Sequence, residues 1–157
     1  MLDDWRHYIF GTNDAQPSPA ALLEYLQGLG FDVTGKFRGD DLGWFSAEIA
    51  HEAALPPLQI ERFLTVEDDI RADLNRWAAW LETLENPHAG WLMQQLINTT
   101  QLFTLHQPSR ASVVGRAEQI DLALCQFLAR ATNGIYNVNG HGFFAADGTL
   151  LVHPDEG

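Results

Sequence analysis

Two stretches of the chain bring carboxylates and imidazoles close enough in sequence to suggest a metal or proton-transfer site. One is Glu48-Ile-Ala-His51-Glu52, and the other is the C-terminal stretch holding His141, His153, Asp155 and Glu156. A Glu-x-x-His step is one element of carboxylate-bridged di-metal sites, which need it twice on helices with further glutamates. The chain has no second copy, and Glu48 falls on an expected strand. His51-Glu52 does not open a His-Glu-x-x-His motif either, because the second histidine position is occupied by Leu55. In the C-terminal stretch, Asp147-Gly148 reads as a two-residue hairpin turn. That register sets His153 opposite Gly142 and His141 opposite Pro154, on opposite sheet faces, which is poor geometry for one metal ion. The expectation is a structural hairpin with no resident metal or cofactor.

Other reactive types carry equally little pattern. The glycines form neither a dinucleotide fingerprint nor a P-loop around Lys36, and no serine sits in a nucleophile elbow. Cys125 lies among Leu, Ala and Phe residues that would bury it, whereas reactive thiols sit in exposed, electropositive surroundings. Glu67, Asp68 and Asp69 lack the glycine and spaced acids of a calcium loop, and fit the start of a helix.

Five tryptophans leave the strongest hint of a binding surface. Trp77 belongs to an apolar helix stripe, and Trp80 falls off it. If Phe45, Ala47 and Ile49 face a core by strand alternation, Trp44 faces outward with Ser46 and Glu48. Exposed aromatics mark contact surfaces more than exposed aliphatics do. The binding candidates are therefore Trp44, Trp80, His141, Glu48 and His51, with no catalytic residue assigned.

The elements that must position these residues read as follows. A short helical turn carries Trp5, Ile9 and Phe10, and a loop follows from Gly11 to Pro19. Ser18 and Pro19 start a helix that ends at Gly28 and Gly30. Phe31 to Glu52 is a β-hairpin turning at Gly39–Gly43, and Leu58–Leu64 is a third strand. Thr65 caps a long helix with Ile70, Leu74, Trp77, Leu81 and Leu84 on its stripe, ended by Asn86-Pro87. A short helix near Ala89–Asn98, a strand near Thr99–Gln107 and a helix ending at Asn133-Gly134 follow, and strands close the chain. The order predicts one α+β domain over residues 1–157, with two layers: an antiparallel sheet carrying helices mainly on one face, and a C-terminal hairpin.

Bulk composition narrows function by exclusion. Hydrophobic residues make up 46% of the 157, enough for a core without disulfides. Nine basic against 21 acidic residues leave a net charge of −12, which argues against nucleic-acid binding and against docking on anionic membranes. No apolar run approaches the roughly 18–20 residues that span a bilayer, and acids occupy the start where a signal peptide has bases. With a single cysteine, the expected location is the cytoplasm. The leading reading is a non-catalytic acidic interaction domain, of the inhibitor or immunity type. Its partner is a protein of basic character, or a second copy joined through an outward sheet face or an unpaired edge. The competing reading is a small metal-binding protein or hydrolase using Glu48, His51, Glu52, His106 and His141 assembled by the fold.

Overall fold

The computed structural model describes residues 7–41, 43–51, 56–65, 70–106, 116–138 and 142–153. Eight strands form one antiparallel sheet: β1 (His7–Gly11), β2 (Thr34–Asp40), β3 (Gly43–Ala50), β4 (Leu58–Leu64), β5 (Gln101–His106), β6 (Ile135–Val138), β7 (Gly142–Ala145) and β8 (Leu150–Val152). Their spatial order is β2-β3-β4-β5-β1-β6-β7-β8. Four helices accompany them: α1 (Pro19–Gly28), α2 (Arg71–Glu82), α3 (Ala89–Ile97) and α4 (Arg116–Ala131). The expected α+β class, antiparallel sheet and closing hairpin are all present.

The expected N-terminal helical turn is instead a strand, and it lies inside the sheet. β1 pairs with β5 on one side and β6 on the other. Tyr8, Ile9 and Phe10 are each almost fully buried, and alternation sends Ile9 to one face and Tyr8 and Phe10 to the other. A strand covered on both faces reads as a continuous apolar run, so its sequence shows no alternation. Removing each such side chain from water contributes about 1.5–3 kcal/mol. Trp5 lies outside the described residues.

The layering also differs from expectation. Leu22 and Leu26 of α1 and Ile120, Leu124 and Leu128 of α4 pack on the face of Ile9, Ala47, Ile49, Ile60, Phe103 and Tyr136. Leu74 and Leu81 of α2 and Leu92 and Leu96 of α3 pack on the opposite face, over Tyr8, Phe10, Leu102, Ile135, Phe143 and Val152. Two helices thus cover each face, making three layers. The cause is the central β1, which exposes large apolar groups on both faces and requires cover on both.

Local signals explain most boundaries. The Ser18 hydroxyl accepts the Ala21 N–H at 3.1 Å, and Pro19 takes the first helical position of α1. Thr65, expected to cap α2, does not: Ile70 precedes the helix, and the Thr65 hydroxyl donates to the Thr100 carbonyl at 3.2 Å. Residues 66–69, with the three acids, lie outside the described residues. The Asp147-Gly148 hairpin uses a three-residue loop, not two: Gly148 N–H donates to Ala145 O and Ala145 N–H to Thr149 O, both at 2.9 Å, with Gly148 at φ 96°. A register shift then restores Phe143 opposite Val152.

The end of α4 is fixed by two residues. Asn133 adopts φ 52°, and Gly134 donates to the Ala129 carbonyl at 2.8 Å, closing the helix. Gly134 presses against β1, and a Cβ there would meet the Phe10 carbonyl oxygen at 1.9 Å. Gly28, at the end of α1, has open space around it. Gly134→Ala should therefore cost more than about 1 kcal/mol, whereas Gly28→Ala should stabilise by up to about 1 kcal/mol. Chemical denaturation of the two variants measures these opposite signs.

Candidate functional site

Trp44 is the first correction among the candidate residues. It is only 6% exposed and packs with Phe37 and Phe103 at ring distances of 5.4 and 5.7 Å. The reason is a β-bulge. Arg38 pairs with Ser46, but the next residue, Gly39, pairs with Trp44, leaving Phe45 as an extra residue. The bulge reverses the alternation, so Trp44 joins Ala47 and Ile49 inside and Phe45 is 46% exposed.

A buried polar network holds this arrangement. Arg62, on β4, is 6% exposed. Its Nε donates to Gln101 Oε1 at 2.8 Å, and its Nη1 to the Trp44 carbonyl at 3.2 Å. Gln101 Nε2 reaches the carbonyls of Asn13 and Ala15, each at 2.8 Å, and Trp44 Nε1 donates to the Pro17 carbonyl at 2.9 Å. The loop of residues 12–18 is thereby tied to three strands. Burial pulls the Arg62 pKa down, and the nearby charges of Asp40 and Asp14 oppose that pull.

Among the described residues, the candidates Glu48, His51 and His106 do not converge. Glu48 is exposed, while His51, one residue past β3, is buried. A three-residue step along extended backbone reverses the face, so the Glu-x-x-His spacing points its two side chains apart. Neither ring nitrogen of His51 has a hydrogen-bond partner among the described residues. His141 and Glu52 lie outside the described residues. His106 pairs with Gln59, which pairs with Glu48. It is therefore two strands from Glu48, about 10 Å. Trp80 is half-buried and stacks on Phe143 at 6.4 Å. With Asp73, Arg76 and Trp77 it lines an apolar groove of about 120 Å³ on α2, where Arg76 and Asp73 pair at 3.1 Å. Among the described residues, no three His, Cys, Asp or Glu side chains are grouped to hold a metal ion. Cys125 is fully buried, and desolvation together with the Asp121 charge pushes its thiol pKa well up, which suppresses the nucleophilic thiolate.

The fold does create one polar surface that no motif announces. The helices α2 and α3 cover their face from Phe63, near the end of β4, to β8, and none of their core contacts falls on β2 or β3. Registers set two rows of side chains across that part of the sheet: Lys36, Glu48 and Gln59, then Arg38, Ser46 and Glu61. All but Ser46 are exposed, and the six line a concavity of about 290 Å³. The charges divide by strand. Both cations stand on the edge strand β2, and the two acids stand on β3 and β4. The signal was present in the sequence as the polar half of each strand's alternation, but the partnership of the three strands depends on register.

Compared with known proteins, the chain matches no protein-family model, no curated protein and no solved structure. No helix among the described residues is long and apolar enough to cross a membrane.

Trp44 accordingly belongs to the core. Trp44→Ala should cost about 3–5 kcal/mol, from lost burial and an unpaired Pro17 carbonyl. Equilibrium unfolding measures this, and an unchanged midpoint would return Trp44 to the surface.

Proposed function

We propose that the protein is a non-catalytic, cytoplasmic interaction domain that presents the bare face of β2, β3 and β4 to a protein partner. The observation that carries this reading is the half-covered sheet. The helical layer leaves β2, β3 and the Gln59–Glu61 part of β4 open on one face, and these carry two cations, two acids, an amide and a hydroxyl at fixed spacings. Rigid strands hold such groups with little entropy left to lose on binding. Mixed charge selects a partner by pattern, since a displaced register would set like charges together. The net charge of −12 adds long-range attraction for a basic protein and disfavours nucleic acid. The cytoplasmic assignment draws on the single, buried cysteine.

The test compares the wild type with a variant reversed at Lys36→Glu, Arg38→Glu, Glu48→Lys and Glu61→Lys. These changes leave the net charge unaltered and touch exposed side chains, so they change pattern alone. Each protein is immobilised and exposed to an extract of the cells that make it. The wild type should retain a specific protein that the reversed variant releases. Identical sets of retained proteins would overturn the reading.

A further inference from the structure

We propose that the bare face of β2–β4 is self-complementary and pairs two copies of this chain about a two-fold axis running along β3. The inference rests on the reading of that face as an interaction surface, and it names the occupant as a second copy, held by the local charge pattern against the repulsion of two chains of net charge −12 rather than by long-range attraction of a basic partner. A two-fold axis lying in the interface parallel to the strands places β2 of each copy over β4 of the other. Residues at the same level along the strands then meet across the interface. Arg38 lies over Glu61 of the second copy, and the symmetry repeats that pair. Lys36 lies over Gln59, and Ser46 lies over itself. Face-to-face sheets pack with their strands nearly aligned at about 10 Å, which long side chains bridge.

The alternatives place like charges together. Turning the axis across the strands sets Lys36 over Arg38 of the second copy. Antiparallel pairing of two β2 edges centred on Phe37, which uses the strand's full length, also sets Lys36 opposite Arg38. Cations on an edge strand are a known guard against edge pairing. The charge pattern thus disfavours full-length edge pairing and favours the face with the axis along β3. One contact is unfavourable: Glu48 lies on the axis and meets its own copy, flanked by Lys36 from each chain. The patch spans only about 10 Å from β2 to β4, small against the roughly 800 Å² per partner of a stable interface, so the dimer is weak and concentration-dependent.

Sedimentation equilibrium at millimolar protein tests this. An ionic strength of about 0.1 M mutes repulsion between the two net charges beyond about 10 Å and leaves contacting pairs in force. The wild type should associate reversibly. Arg38→Glu and Glu61→Arg should each weaken association about tenfold, and the double variant should restore it. Glu61→Arg is the decisive single change, because it lowers the net negative charge and would strengthen any non-specific association. Glu48→Gln should tighten the dimer, and no gain from it would overturn the axis along β3. A wild type that stays monomeric, or a double variant that fails to recover, would overturn the second copy as occupant. If the same bare face still retained another protein in the capture experiment, the interaction reading would stand without it.

Discussion

The rest of the structure depends on the placement of five residues, His7–Gly11, between strands that are distant in sequence. β5 and β6 run parallel to each other with β1 between them, joined through α4, which packs on both β1 and β6. Without β1 the sheet would divide into β2–β5 and β6–β8. Its centre demands apolar cover on both faces, and that demand distributes the helices two to a face. The close approach of Gly134 to the Phe10 carbonyl shows how little space the arrangement leaves.

A second constraint works at the other end of the same loop. Residues 12–18 leave β1 and must reach α1 across the end of the sheet. Their carbonyls would be stranded there without donors, and Gln101 Nε2 and Trp44 Nε1 supply them. Arg62 in turn orients Gln101 and holds the Trp44 carbonyl. The bulge at Phe45 is the geometric condition for this network, since it turns Trp44 inward. A buried guanidinium is costly unless its hydrogen bonds are met, so Arg62, Gln101 and the bulge stand or fall together.

Much of this was legible in the residues. Ser18-Pro19, Asn133-Gly134 and the alternation of β2 and β4 declared their elements directly, because each depends on local backbone chemistry. The failures came where distant contacts decide. Tyr8-Ile9-Phe10 is too short for its period to separate strand from helix, and only its double burial identifies it. Strict alternation places Trp44 outward, because it cannot foresee one inserted residue. Thr65 carried a capping pattern, yet its hydroxyl turned to Thr100, a partner 35 residues away. The two polar rows on β2–β4 were present as alternating residues but acquired meaning only through the register of three strands.

The same constraints account for the surface. Helices α2 and α3 are drawn to the apolar centre and C-terminal end of the sheet, where Tyr8, Phe10 and Phe143 need cover. On that face Phe63, near the end of β4, joins the α2 and α3 core, whereas Lys36, Arg38, Ser46, Glu48, Gln59 and Glu61 offer polar groups, which gain nothing from a helix packed on them. Paramagnetic relaxation by a small neutral nitroxide, in a solution dilute enough to keep the chain monomeric, tests this asymmetry most directly. The side-chain signals of Lys36 and Gln59 should broaden strongly, while those of Tyr8, Phe10 and Phe143 should stay sharp. Equal protection of Lys36 and Gln59 with the buried aromatics would contradict the account, because the face would then be covered.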